Sequence, residues 1–239
     1  MKIDVAFTAG ESGGSALTDR TAVVIDVLRA TSTIVHALVN GAKHVLPVGT
    51  VAEAAMKKNE LGRDTALLCG ERGAEPIPGF DLGNAPAEFT AEAVGGRMLV
   101  MTTTNGTPAL VATSGAKICL VAALLNVDAV ARRIIEIGND VTIVCAGREG
   151  RFALEDAVCA GVLVQRLRTA RRVPLQLDDG AHAALTLASR SRDMRATLRR
   201  SAAGRALREL GRGDDVTFCA QVDLHDAVPV FEQYRIELS

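Results

Sequence analysis

Residues 22–39 read AVVIDVLRATSTIVHALV. The run from Ala22 to Val27 is almost continuously apolar and β-branched, broken only by Asp26. Strands with one wet face alternate polar and apolar residues, whereas strands covered on both faces do not, so this run reads as part of a parallel sheet. A short polar stretch holding Arg29 follows, and Thr31–Val39 then takes on a helical pattern. The same strand, polar turn and helix recur along the chain. Strand-like runs lie at Ile3–Phe7, Val45–Val48, Ala66–Cys69, Met98–Met101, Ile118–Ala122 and Val141–Cys145. Helix-like segments lie at Val51–Glu60, Ala87–Val94, Thr107–Ser114, Val127–Ile137 and Leu154–Arg168. This order predicts an α/β fold, a three-layer α/β/α sandwich on a mostly parallel sheet. Beyond Arg168 the texture changes to helices at about 178–190 and 193–210, then strands near Val216–Val222 and Tyr234–Leu238. No linker sets this tail apart, so residues 1–239 read as a single domain, with about 170–239 forming either a helical/strand subdomain or a last layer on the sheet.

The 239 residues are 48% hydrophobic and 23% charged, a globular balance. Lys and Arg total 27 against 28 Asp and Glu, which disfavours a dedicated nucleic-acid binder. Trp is absent and Tyr234 is the only tyrosine, which leaves little for base stacking. The longest unbroken apolar run, Ile118–Leu125, is far short of the roughly 18 residues that span a membrane. The opening MKIDVAFTAG does not read as a signal peptide. Five scattered cysteines without a CxxC pair fit reduced thiols, so a cytoplasmic location is expected.

Ligands of open α/β sheets bind at the carboxyl ends of the strands. The residues there are Asp26 and Arg29, Glu71-Arg72-Gly73, Thr102 to Thr107, and Arg148 with Glu155 and Asp156. Two chemistries follow. The helix starts at Thr31-Ser32-Thr33 and Asn105-Gly106-Thr107, with Arg29 and Arg148, suit oxyanions. Asp26, Glu71, Asp81, Glu155 and Asp156 offer the oxygen ligands that Mg²⁺ takes. Simpler roles compete. Thr31, Ser32 and Asn105 are ordinary helix caps, Asp26 can pair with Arg29, and Glu71 with Arg72 or Arg148. Arginines 190 to 212 read as the solvated face of an amphipathic helix, with an RNA surface as the lesser reading. Asp223, His225 and Asp226 read as structural before metal-binding, and His36 and His182 have no obvious partner. Cys69 and Cys145 at strand ends are nucleophile candidates, although buried thiols are commonly inert.

The stretches VVIDVLRATSTIVHAL (23–38), LLCGERGAEPIPGFDLGNAPAEF (67–89), TTTNGTPAL (102–110), IVCAGREGRFALEDAVCAG (143–161) and GRALRELGRGDDVTFCAQVD (204–223) resemble the 2-phosphosulfolactate phosphatase family. The resemblance covers essentially the whole chain. It implies a mixed sheet and Mg²⁺-dependent hydrolysis of the phosphate monoester of 2-phospho-3-sulfolactate to 3-sulfolactate and phosphate, a step of coenzyme M biosynthesis in methanogens. Two turns depart from the family pattern, with Ala74 for a usual Gly and Ala85 for a usual Ser. A phosphatase of another small phosphorylated hydroxy acid, or a non-catalytic anion-binding protein, would use the same scaffold.

With that substrate, Asp26, Arg29 and Glu155 are the expected catalytic residues, and Asp26, Glu71, Asp81 and Glu155 the expected Mg²⁺ ligands. Thr103, Thr104, Asn105 and Gly106 are assigned to one anionic end of the substrate and Arg29, Thr31 and Ser32 to another, with Arg148 adding a cation. Which end holds phosphate is open. The nucleophile is either metal-activated water or Asp26 itself. Leu28 breaks the DxDx pattern of aspartate-nucleophile phosphatases, which favours water. The expected partner is a small anion bearing phosphate and sulfonate, with no nucleic acid or membrane, and a homo-oligomer is compatible with this reading.

Overall fold

The computed structural model describes residues 1–12, 17–62, 65–170 and 174–238. Every expected strand of the first 150 residues is present. They are β1 (Lys2–Ala6), β2 (Thr21–Ile25), β3 (His44–Pro47), β4 (Ala66–Arg72), β6 (Met98–Thr102), β7 (Ile118–Ala122) and β8 (Val141–Cys145). Four short or late strands join them: β5 (Glu75–Pro76), β9 (Gln176–Leu177), β10 (Pro229–Glu232) and β11 (Arg235–Leu238), the last two paired as a hairpin. The order across the sheet is β5-β4-β6-β3-β11-β10-β7-β2-β8-β1-β9. β4, β6 and β3 run parallel, as do β7, β2, β8, β1 and β9. The antiparallel hairpin lies between the two parallel blocks, pairing Ile236 with Val45 on one side and Val230 and Phe231 with Leu120 and Cys119 on the other. The sheet is therefore mostly parallel but mixed.

Both faces of the central strands are buried, as their unbroken apolar runs require. Val23 and Ile25 point into a core shared with α5 (Val127–Ile137), α6 (Leu154–Thr169) and α7 (Asp179–Arg190). Ala22 and Val24 point the other way, to α1 (Ala30–Val39) and α4 (Gly106–Ala112). Over β4 and β6, Ala54 of α2 (Val51–Leu61) packs on Leu68 and Val100. Helix–sheet–helix layering follows directly from this alternation of apolar side chains.

Besides the two-residue strands β5 and β9, the structure departs from the sequence reading in four places. Ala87–Val94 is a 3-10 turn at Pro86–Glu88 and a one-turn helix, α3 (Ala91–Val94), separated where Thr90 caps α3. The expected helix at 193–210 is two, α8 (Met194–Arg200) and α9 (Ala202–Glu209), because Ser201 takes extended backbone and accepts from the Gly204 amide. The expected strand at Val216–Val222 is a helix, α10 (Gly213–Cys219). Its β-branched composition misleads, but Asp215, Val216 and Cys219 bury one helical face and Asp214 and Asp215 suit its first turn. The strand at β10 went unread because it is short and opens on Pro229, whose missing N–H confines proline to strand starts and edges.

His36 and His225 find each other. Nδ1 of His36 lies 3.1 Å from Nε2 of His225, and Asn40 Nδ2 lies 3.0 Å from His36 Nε2. Asp223 accepts from the Asp128 amide and from Arg166, and Asp226 pairs with Arg132, so both carboxylates near His225 have structural partners. Among the described residues no helix is long and apolar enough to cross a membrane.

Candidate active site

The carboxyl ends of β2, β4, β6 and β8 open into one cavity of about 100 Å³. Asp26, Arg29, Glu71, Thr104, Asn105, Arg148 and Glu155 line it, together with Asn84 and Asp156. Its far wall is α9, through Ala203, Ala206 and Leu207. Residues expected from sequence and far apart along the chain, from Asp26 to Asp156, thus meet at one rim. The volume suits a small acid ester rather than a nucleotide.

Asp26 sits at the end of β2, 7% exposed. Its Oδ1 accepts from the Ala30 amide at 3.3 Å. Oδ2 accepts no hydrogen bond from the described residues and lies 2.7 Å from where a Cβ on Gly106 would stand. Only glycine leaves room there for the carboxylate. Burial, then the charge of Glu71, pushes the Asp26 carboxyl up from 3.8 to about 7. Glu155, 3% exposed in the first turn of α6, is also raised, chiefly by burial, and its Oε2 is buried without a hydrogen-bond partner. Asp156 is raised further, by burial and then by Asp26 and Glu155.

The two other carboxylates have their oxygens occupied. Asp156 accepts from the Val27 amide at 2.9 Å and the Gly147 amide at 3.1 Å, tying the turn after β2 to the turn after β8. Glu71 accepts from the Thr104 amide at 2.7 Å, the Thr104 hydroxyl at 3.2 Å and the Ala74 amide at 2.7 Å. Neither Arg72 nor Arg148 pairs with its carboxylate, and Arg72 donates instead to the Glu71 backbone carbonyl at 2.7 Å. Gly70 makes this reach possible. Its φ is +140°, and a Cβ there would fall 1.9 Å from the Thr102 carbonyl oxygen on the neighbouring strand. Two carboxylates therefore organise the rim, and two, Asp26 and Glu155, keep a free oxygen.

Arg29 is not paired with Asp26. Its guanidinium donates to Asp215 Oδ2 and to the Ala74 carbonyl, each at 2.7 Å, and is nearly fully buried. Arg148 makes no side-chain hydrogen bond or ion pair within the described protein and remains available to a ligand. Asn105 Oδ1 accepts from the Glu149 amide at 2.9 Å, so its side chain braces a loop and does not cap α4.

Several expected residues stand behind the wall. Thr31 bonds the Asp26 carbonyl through its hydroxyl at 2.9 Å, and Ser32 bonds that of Val27 at 2.8 Å. Thr103 and Thr107 exchange hydrogen bonds at 3.0 Å. Thr31, Ser32 and Thr103 are buried, and none reaches the cavity. Gly106 acts by lacking a side chain. Asp81 is outside the site altogether, accepting from Lys58 at 2.5 Å and from the Leu68 amide at 2.7 Å. Among the described residues no three His, Cys, Asp or Glu side chains converge as a ready-made metal cage. Cys69 and Cys145 are buried with their thiols pushed far above the ordinary range, chiefly by desolvation, which leaves them unsuited to nucleophilic attack.

A family profile described as 2-phosphosulpholactate phosphatase matches residues 7–234, which takes in every residue of this cavity. The chain belongs to that family. Three relatives named probable 2-phosphosulfolactate phosphatase illustrate the likeness. The one from Clostridium acetobutylicum is 40% identical over 236 residues, 99% of this chain and 100% of its own. The one from Thermotoga maritima is 44% identical over 211 residues, 88% of each chain. The one from Caldanaerobacter subterraneus is 42% identical over 214 residues, 89% of this chain and 88% of its own.

Within this family frame, sequence reasoning overlooked Asn84, Asp215 and the α9 wall. Asn84 is 3% exposed with Oδ1 unpartnered, and its only signal was a place in the long loop before Pro86. Asp215 was hidden by reading its neighbourhood as a strand.

Proposed function

We propose that the protein is a phosphoric monoester hydrolase that releases phosphate from 2-phospho-3-sulfolactate, with Mg²⁺ as its cofactor. Membership of the 2-phosphosulpholactate phosphatase family supports the substrate class. The observation that carries the chemistry is the meeting of two carboxylates with spare oxygens and two arginines in one small cavity.

The donor set fits Mg²⁺. Asp26 Oδ2 and the orphaned Glu155 Oε2 are hard oxygens, and burial holds both carboxyls above their ordinary range, so a bound cation would favour their charged forms. Mg²⁺ usually takes one or two protein carboxylates and completes its shell with water and substrate phosphate, so a full cage is not required. Asp26 and Glu155 would hold it, with Glu71 and Asp156 fixing the rim around them. Asp81 has no part in this set. When bound, the ion would polarise the phosphoryl group and favour attack by water.

The chain's own residues supply the rest. Arg148 offers an uncommitted guanidinium to phosphate or sulfonate oxygens, and Arg29, held by Asp215, presents its remaining N–H groups from a fixed position. Asn84 and Thr104 add neutral polar groups to the lining. The α9 wall and the small volume exclude bulky esters. Water adds to phosphorus, the ester P–O bond breaks, and the proton of the water leaves on the hydroxy acid. The free Asp26 Oδ2 also admits a second reading, attack by Asp26 itself through an aspartyl phosphate. Trapping of labelled phosphoenzyme by rapid quench would favour that reading, and its absence during turnover favours water.

The deciding assay is phosphate release from 2-phosphosulfolactate and from 2-phospholactate, with Mg²⁺ and with EDTA. Mg²⁺-dependent turnover of the sulfonated ester is expected. Equal turnover of both esters would keep a phosphatase but remove the sulfonate from its specificity. No release from either by folded protein would overturn the proposal and leave an anion-binding protein.

A further inference from the structure

The final turns of α7, α8 and α9 converge on a second cleft, of about 490 Å³, away from the carboxylate rim. Arg190, Arg192, Arg199, Arg200 and Arg208 line it, against a single acidic residue, Asp193. Oδ1 of Asp193 is engaged at 2.9 Å with the Ala196 amide, capping α8. Among the described residues, none of the five guanidinium groups donates a hydrogen bond or forms an ion pair, in contrast to Arg20, Arg29, Arg132 and Arg166, which are all paired. A chain of net charge −1 thus gathers five arginines without ion-pair partners, against one aspartate, around one concavity.

We propose that this cleft is a binding site for a small polyanion carrying two or more phosphate groups.

Helix dipoles alone do not account for the arrangement. A cation in a last turn stabilises a helix by about 0.3–1 kcal/mol, which explains one arginine per helix end. It does not explain the Arg199–Arg200 doublet, nor Arg192, which lies between α7 and α8. Five like charges facing one space repel each other, and although solvent and salt screen exposed guanidinium groups, an anion seated among them would neutralise them directly. The guanidinium fork matches phosphate oxygens in pairs, so several arginines call for several phosphate groups. The volume is that of a small-molecule site. A surface that stacks single-stranded bases would add aromatic platforms, and no aromatic residue lines the cleft.

The position carries a consequence. α9 turns Ala203, Ala206 and Leu207 toward the catalytic cavity and Arg208 toward this cleft. A polyanion bridging Arg199 or Arg200 to Arg208 would brace α8 against α9 and so stiffen the far wall of the catalytic cavity. This inference does not depend on the identity of the reaction.

The test is titration calorimetry with inorganic tripolyphosphate at 0.15 M NaCl in EDTA. Tripolyphosphate can also enter the catalytic cavity, so two variants separate the sites. One is the triple variant Arg192→Gln, Arg199→Gln, Arg200→Gln, and the other is Arg148→Gln. Saturable binding to the unmodified protein is expected, weakened at least tenfold in the triple variant and unchanged in Arg148→Gln. The thermal midpoint of the triple variant without ligand should not fall. If it does, the single variants Arg192→Gln and Arg200→Gln, both exposed positions, should each weaken binding about threefold. The proposal is overturned by no binding at 1 mM ligand, by a triple variant that binds as tightly as the unmodified protein, or by loss in Arg148→Gln alone. Preference for a single-stranded RNA over tripolyphosphate at equal phosphate concentration would also overturn it in favour of a nucleic-acid surface.

Discussion

Asp26 couples the site's chemistry to the stability of the fold. Its carboxyl titrates near 7 when folded and near 3.8 when unfolded, so the native state binds that proton more tightly. Its contribution to stability is greatest below pH 3.8, is lost as pH rises through 7, and is constant above. Asp26→Asn removes this slope. In EDTA at pH 8 the variant should melt higher than the unmodified protein, by several degrees if the effect is about 2 kcal/mol. It should also lose at least a hundredfold in phosphate release. Melting curves from pH 5 to 8 in EDTA check the first outcome, and a variant with the unmodified slope would contradict it. Ala74 gives a second prediction at this scale. Its φ is +70°, a left-handed conformation that favours the glycine usual at this place in the family pattern. Its amide and carbonyl hold Glu71 and Arg29, so the turn is fixed from both sides. Ala74→Gly should stabilise the protein by roughly 0.5–1 kcal/mol without moving KM, as read by urea unfolding and steady-state kinetics.

At the level of elements, α1 and the segment after α10 are joined by a histidine pair whose protonation can be deduced. Asn40 donates one Nδ2 hydrogen to the Phe89 carbonyl at 2.7 Å, which fixes its amide orientation. Its other hydrogen then points at His36 Nε2, which must accept. His36 therefore carries its proton on Nδ1 and donates to His225 Nε2. Both rings are neutral. Burial lowers the ionisation of each, and in His36 the neighbouring His225 lowers it further. The sign is opposite to that of Asp26. The stability is fully present above pH 6.5 and is lost as pH falls through the depressed folded values. His225→Gln should flatten the acid side of the stability profile between pH 6.5 and 5, and an unchanged profile in urea unfolding would refute the pairing. The elements were legible in sequence where composition and period agreed, as in β2 and α6. They were misread where a β-branched and aromatic run, Val216-Thr217-Phe218, sat on a helix whose burial is set by tertiary packing. That misreading also concealed Asp215, the partner that holds Arg29. The rim itself was legible because strand ends announce it, but Thr31, Ser32 and Thr103 were not separable from Thr104, since which hydroxyl faces a cavity is decided by packing across the sheet.

For the whole molecule, the C-terminal hairpin is the piece that makes two parallel blocks one sheet. Phe231 is 4% exposed and packs in the core beneath α1 and α4, while its backbone pairs with Cys119. Phe231→Ala should cost about 3–5 kcal/mol, measured by urea unfolding, and is expected to lower stability without altering the affinity of any protein that remains folded. Sequence marked the second strand of the hairpin, near Tyr234–Leu238, but not its partner β10, because a four-residue strand starting at proline carries almost no periodic signal.

The placement of that hairpin also sets an order of events during synthesis. β3 and β7 are made long before residues 229–238 emerge from the ribosome, and until then each has an edge with no neighbour. A nascent chain stalled before Pro229 exposes two open strand edges, the kind of surface that recruits other chains. Stalled intermediates of this protein should therefore aggregate or engage chaperones until the hairpin is released. A circular permutant that begins with residues 229–238, joined through a linker to residue 1, would have its closing strands available first.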